Sequence, residues 1–305
     1  MLHRIWKPWY VWRPHQLVRR LLQRSRPPAA GFRPLLTSWG ARILADPSKP
    51  LGRSIQTTGV YDLSVSEVLL RLVRTGDVVV DAGANVGYMT VLAAVAAGPS
   101  GTVHAFEPHP GLFSVLDQNV AASGRRFPMA RVVLHDAALG DHVGGADLAL
   151  PEALATNDGL AYIVRDANQP PARTIAVRLE TLDATVPEDI SVMKLDVEGF
   201  ERQVLEGAAR ALTSRRIRHI VFEDHEGAQS DVMRLLAGAG YHLYSIGWSV
   251  WGLKVLPIAA GRLAATYEAP SYLATIDPHE ALRACASPGW RALRKMTSSC
   301  SRRVG

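Results

Sequence analysis

The segment VVVDAGANVGYMT, residues 78 to 90, constrains this chain more than any other. Three β-branched valines predict a strand, and YMTVLAAVAA predicts a helix. Between them Gly83, Asn85 and Gly87 alternate with small residues. Gly and Asn tolerate left-handed backbone, so this turn can run through positions closed to most side chains. A strand that ends in such a turn and re-emerges as a helix opens an α/β unit. In sheets of that kind ligands bind outside the carboxyl ends of the strands.

The rest of the chain repeats the alternation. TVHAF (102–106), ARVVLH (130–135), ISVMKL (190–195) and HIVFE (219–223) read as strands, and PGLFSVLDQNVAA, GFERQVLEGAARAL and SDVMRLLAGAG read as helices. YHLYSI and LKVL add strands, and 146–180 is β-rich, with DLALP, LAYIV and TIAVRL. Strand and helix in turn imply a doubly wound, mostly parallel sheet covered on both faces. Residues 24–34, RSRPPAAGFRP, read as a linker from their Pro and Gly content. The expected division is a basic N-terminal extension and linker (1–45), one catalytic domain (46–280) and a basic tail (281–305).

Two ligands are excluded at the glycine turn. The dinucleotide fingerprint is G-x-G-x-x-G, whereas here Asn85 holds the middle position and Gly87 comes one residue early. No G-K-[ST] follows, which removes a P-loop. Glu107, ending VHAFEP, fits a nucleoside: a carboxylate at the tip of the second strand can accept both ribose hydroxyls.

VVVDAGANVGYMT, HAFEPHP and VMKLDVEGFERQVLEGA together resemble the FkbM family of S-adenosylmethionine-dependent methyltransferases. DPSKPLGRSIQTTGVYDLSVSEVLLRLV, HDAALGD and IVFEDH extend the resemblance over about residues 46 to 250. It implies a class I methyltransferase (Rossmann-like) fold, a seven-stranded, mostly parallel sheet whose last strand is antiparallel. It also implies transfer of a methyl group to a hydroxyl of a sugar, glycolipid, polysaccharide or macrolide-type product. Carried over by position, Gly83, Ala84, Asn85 and Gly87 would lie against the methionine part of the cofactor. Asp81 would organise that turn and the bound amino group, Glu107 would hold the ribose, and Asp136 with Ala137 would lie near the adenine.

An alcohol is a poor nucleophile until its proton leaves, so a base or a metal is expected. KLDVEGFE places Asp196 at a strand end, with Glu198 and Glu201 in the turn and helix start that follow. FEDH places Glu223, Asp224 and His225 at the neighbouring strand end. Asp196 and Glu223 should open onto one cleft. His225 is ranked first as general base, because imidazole takes a proton near neutral pH with little tuning. Glu223 would orient it or bind substrate, and Glu198 either acts in the cleft or satisfies backbone donors. Asp196, Asp224 and Glu223 could alternatively hold magnesium, although no metal is expected. Glu201 reads as a helix N-terminal acid that complements the dipole. In TNDGLAYIV (156–164), Asn157 and Asp158 are candidates to bind sugar hydroxyls or to form a solvated turn.

Competing readings are a nucleic-acid methyltransferase and a non-catalytic S-adenosylmethionine-binding module. Charge argues against the first. Residues 1–45 carry nine Lys/Arg and no acid, and 281–305 carry six and no acid; 19 basic residues against 28 acidic ones lie between, a net of −9. A nucleic-acid grip wants a basic face on the folded domain, so no nucleic-acid partner is expected. Trp6, Trp9, Tyr10 and Trp12 sit among Arg4, Lys7 and Arg13. They read either as an arm meeting an anionic membrane or as a cap on the catalytic domain. No apolar run reaches the ~20 residues of a membrane span. The N-terminus lacks a signal-peptide core, and two cysteines form no disulfide framework, so a cytoplasmic enzyme, peripheral to the membrane if the arm docks, is expected.

Overall fold

The computed structural model describes residues 8–12, 29–151, 161–164, 173–227, 229–258 and 270–296. Asn157, Asp158, Cys300 and most of the proposed N-terminal arm lie outside them.

The strands are β1 (Arg33–Leu36), β2 (Arg42–Ala45), β3 (Val78–Ala82), β4 (Thr102–Phe106), β5 (Arg131–His135), β6 (Ala137–Leu139), β7 (Gly144–Ala149), β8 (Tyr162–Ile163), β9 (Thr174–Glu180), β10 (Ile190–Leu195), β11 (Ile217–Glu223), β12 (His242–Ser249), β13 (Gly252–Pro257) and β14 (Ser271–Thr275). The helices used below are α1 (Pro50–Thr58), α2 (Leu63–Leu72), α3 (Tyr88–Ala97), α4 (Pro110–Gly124), α5 (Glu201–Glu206), α6 (Asp231–Gly238) and α7 (Pro278–Cys285).

The main sheet runs β13-β12-β14-β11-β10-β3-β4-β5. From β5 through β11 every pairing is parallel, and β14 runs antiparallel to β11. The last strand among the described residues is therefore antiparallel, as expected, but the sheet has eight strands and not seven, and a second strand, β13, also runs against the rest. The eighth is β13, which doubles back on β12 from the Ser249/Gly252 pair to the Tyr244/Pro257 pair. The strands alternate between two cores. Val79, Val103, Val192 and Val221 face the side of α2 and α3. Val80, Phe106, Met193 and Phe222 face the side of α5 and α6. Burial on both faces is why these strands read as continuous apolar runs.

The chain runs outward from β3 to β4 and β5, then returns to β10 on the other side of β3. The reversal makes the carboxyl ends of β3 and β10 the switch point where such sheets bind ligands. A smaller sheet, β6-β9-β7-β8, stands beside it and accounts for the β-rich stretch after residue 144.

Residues 33–45, expected as the end of an extension and linker, form an antiparallel hairpin packed into the main core, with Trp39 and Ile43 fully buried. Residues 284–296 join it there. Inside α2, Arg71 pairs with Glu67 at 2.7 Å, and both side chains are buried. Arg71 also donates to the carbonyl of Gly289 (2.8 Å), and Glu67 accepts from the amide of Ala292 (2.9 Å). A buried ion pair is tolerated when its remaining valences are filled in this way. Here the partners are main chain, so the pair fastens the C-terminal segment to α2.

Candidate active site

At the end of β3 the amides of Gly83 and Ala84 donate to the carbonyl of Phe106 (3.1 and 2.9 Å), and Gly83, Asn85 and Gly87 all have positive φ (79°, 51° and 85°). A Cβ on Gly83 would stand 1.9 Å from the carbonyl oxygen of Asp196, and one on Gly87 would meet Leu116 of α4 at 2.5 Å. The glycines thus make room first for the protein's own chain. That closeness lets β10 deliver Asp196 beside the turn.

Glu107 is buried and ties the turn to the end of β4. Its two oxygens accept from the amides of Asn85 and His109, each at 2.8 Å. Burial pushes its carboxyl up to about 7, against the lowering effect of those amides and of Lys194. Asp81 is only 2% exposed and lies beneath the turn. It accepts from Thr90 at 2.6 Å and stands 3.5 Å from Lys194. It does not line the cleft.

Lys194, the buried penultimate residue of β10, donates to the carbonyl of Gly83 (2.9 Å) and pairs with Asp196 (3.1 Å). Burial disfavours its ammonium, but the charges of Asp196 and Asp81 outweigh burial and hold its pKa above the ordinary lysine value. Glu198 and Gly199 then turn with positive φ (49° and 83°). Glu201 reaches back to accept from the amides of Val197 (3.3 Å) and Gly199 (3.1 Å), so it fixes this turn as well as starting α5. Glu198 is exposed as a residue, but its carboxyl lies against other acids. Partial desolvation, then the charges of Asp196 and Glu201, push it up to about 7. Glu223, the last residue of β11, is pushed far above the ordinary carboxyl value by burial and then by Asp196 and Asp62.

One cleft of about 130 Å³ is lined by Gly83, Ala84, Asn85, Glu107, Ala137, Asp196, Glu198 and Glu223. Leu139, Leu148, Tyr162, Ile163 and Phe200 add an apolar part to the lining. Tyr61, a residue that sequence reasoning missed, also lines it. Burial first, then the neighbouring carboxylates, raise its phenol well above its usual value and keep it a hydrogen-bond donor. No local signal marks Tyr61; the packing of α2 beside β10 and β11 brings it there.

Other expected residues lie elsewhere. Asp136 is exposed and paired with Arg178 outside the cleft lining, whereas its neighbour Ala137 is in it. Asp224 accepts from the amides of Glu226 (2.9 Å) and Gly227 (3.3 Å) and from the Ser230 hydroxyl, so it shapes the turn after β11. His225 is exposed in that turn and does not line the cleft. Gly87 caps α3 against Leu116 and is also absent from the lining. The trio considered for magnesium is not brought together, and among the described residues no group of three or more His, Cys, Asp or Glu is placed to hold a metal ion.

The cleft's donor set suits a nucleoside sulfonium. Each Glu107 oxygen has lone-pair capacity left after its one amide bond, which is what a ribose diol needs. Acidic groups outnumber the one lysine around the cleft, as a cationic ligand requires.

Comparison with known proteins gives the same direction. The methyltransferase FkbM domain model matches residues 81–243. The 31-O-demethyl-FK506 methyltransferase FkbM of Streptomyces tacrolimicus is 35% identical over 219 residues, covering 63% of this chain and 83% of that protein. The hexuronic acid methyltransferase AglP of Haloferax volcanii is 28% identical over 207 residues, covering 67% and 79%. Among solved structures, the FkbM methyltransferase of Methylobacillus flagellatus matches with a TM-score of 0.42 at 13% identity, over 65% of this chain and 43% of that one.

Proposed function

This chain belongs to the FkbM methyltransferase family and is an S-adenosylmethionine-dependent methyltransferase, and on that premise we propose that it methylates a hydroxyl oxygen of a sugar-bearing or macrolide-type acceptor. One observation carries the reading: Asp196, Glu198 and Glu223 line the same cleft as the glycine turn and Glu107. S-adenosylmethionine supplies, when bound, an electrophilic methyl group on a sulfonium. Glu107 would hold its ribose, and the backbone of Gly83, Ala84 and Asn85 its amino-acid end.

Glu198 takes the hydroxyl proton on this reading. A carboxyl near 7 is half ionised at neutral pH and matched to general-base work. Its left-handed backbone is the kind of strained position that collects at functional sites. Glu223, neutral at that pH, donates a hydrogen bond that orients the acceptor, and Tyr61 can donate a second. Asp196 is held by Lys194 and keeps the floor negative. A concentration of acids disfavours anionic acceptors and phosphates, while the apolar part of the lining accepts a hydrocarbon flank. Much of the rate can come from holding the oxygen in line. His225, on an exposed turn outside the cleft lining, has no part in this reading. We place the enzyme in a reducing, cytoplasmic compartment, in keeping with the free, buried thiol of Cys285.

The test is incubation with labelled S-adenosylmethionine and fractionated small molecules, glycolipid, polysaccharide and RNA from the source cell. Label in a hydroxylated glycolipid, glycan or small molecule supports the proposal. Label confined to RNA, or cofactor binding with no transfer to any fraction, overturns it.

A further inference from the structure

Two stretches almost three hundred residues apart in sequence, at Trp12 and at 289–294, meet on one face, and neither lines the cleft. The meeting point is the turn between β12 and β13. There Trp251 is 74% exposed. Its carbonyl accepts from the amide of Gly289 (2.8 Å), and Gly252 bridges to Gly289. The indole of Trp12 donates to the carbonyl of Val250 (2.8 Å), and the guanidinium of Arg294 stands 5.7 Å from its ring centre. Val11, Trp12, Arg291, Arg294 and Lys295 are exposed in and beside these two stretches. The fastening of residues 284–292 to α2 by Arg71 and Glu67 makes this face a rigid part of the domain.

We propose that this face docks on the surface of an anionic phospholipid bilayer. Exposed tryptophan ringed by arginine and lysine is the composition that sits at a membrane interface: indole enters the headgroup level while the cations meet anionic lipid. Charge complementarity selects the occupant. From residue 281 to 305 there are six basic residues and no acid, and from 1 to 45 nine and no acid, while the body between is net −9. Of these, the exposed Arg291, Arg294 and Lys295 belong to the segment that meets Trp12, and they supply positive charge on this face. RNA would share the charge attraction and can stack a base on Trp251, so RNA binding is measured beside vesicle binding. Among the described residues no helix is long and apolar enough to cross a membrane, so the contact is peripheral.

The full chain is tested by co-sedimentation with vesicles of phosphatidylcholine alone and of phosphatidylcholine with phosphatidylglycerol. Binding only to the anionic vesicles, weakened by salt, is expected. Trp251→Ser should lower partitioning at least about tenfold, the worth of one buried apolar side chain. Arg294→Glu with Lys295→Glu should lower it at least about twentyfold, from roughly fivefold per cation near the surface. Both changes are on exposed side chains and should leave S-adenosylmethionine affinity unaltered. Quenching of indole emission by brominated phosphatidylglycerol in the unaltered chain gives a readout that depends on no variant. The proposal is overturned by failure to bind anionic vesicles, by variants that bind like the parent, by unquenched emission in the bound chain, or by tighter binding to single-stranded RNA than to vesicles.

Discussion

Replacing Glu107 with glutamine tests the donor site through two effects of known sign. The carboxylate now accepts from the amides of Asn85 and His109, each at 2.8 Å, and has capacity left for the ribose diol. Glutamine keeps one oxygen and turns an NH2 toward one of those amides. One buried donor loses its acceptor, and so does one ribose hydroxyl. A hydrogen bond to a charged group is worth ~1.5–3 kcal/mol, so S-adenosylmethionine should bind about 10- to 150-fold more weakly. The second effect concerns pH. Glu107 titrates at about 7 in the folded protein, above its unfolded value of 4.5. Its favourable contribution is thus complete below the unfolded value and is lost as pH rises through about 7. Between pH 5.5 and 8 that linkage removes about 2 kcal/mol from the apoprotein, and glutamine abolishes this part of the pH dependence. Diol hydrogen bonds favour the ionised form, so cofactor affinity in the parent should rise with pH through 7 and level off above it. Calorimetry at several pH values and denaturant melts measure both. An E107Q protein that binds S-adenosylmethionine as tightly as the parent, with an unchanged pH profile, refutes the assignment.

In the same cleft, Glu198→Gln should lower turnover by roughly 10²–10⁴ with little change in cofactor affinity. In the parent the rate should rise with pH through about 7, because the ionised carboxyl is the active form; steady-state kinetics across that range checks both. His225→Ala, altering an exposed residue outside the cleft lining, should keep near-normal turnover; a large loss would return the general-base role to the histidine. Gly83→Ala should destabilise the fold by on the order of 3 kcal/mol or more, since its Cβ meets the Asp196 carbonyl at positive φ. A melting temperature equal to the parent's would show that the turn can shift.

What the sequence reveals and what it hides follow from the range of the interactions. Strands β3, β4, β10 and β11 are legible because burial on both faces leaves unbroken apolar runs bounded by turns. Glu107 and Asp196 are legible because each directly ends or follows such a run. The hairpin 33–45 is not, since the Pro and Gly of 24–34 suggest a linker running into it, while Trp39 packs on Tyr88 and Phe127 and its carbonyl accepts from the amide of Met296, some 250 residues away. β14 goes unread because SYLAT is short and gains its place only between β11 and β12. The eighth strand, β13, is visible as LKVL, but its pairing is set by the turn at Trp251. His225 follows a strand end as a cleft residue would; Ser230 and the amides of Glu226 and Gly227, which engage Asp224, put that turn outside. The glycines at 83 and 87 announce a tight turn without saying that a carbonyl from Asp196 and a leucine of α4 fill the space.

The most direct measurement is the identity of the atom that receives the methyl group. S-adenosylmethionine bearing a deuterated methyl, incubated with the full chain and a metabolite extract of its source, would be followed by mass spectrometry and fragmentation of each labelled product. A deuterated methyl on a hydroxyl oxygen of an uncharged sugar-bearing or macrolide-type molecule, made by the parent and sharply reduced with Glu198→Gln, is the expected result. A deuterated methyl on a nitrogen or carbon, or equal labelling by the E198Q protein, would contradict hydroxyl methylation by this acidic cleft.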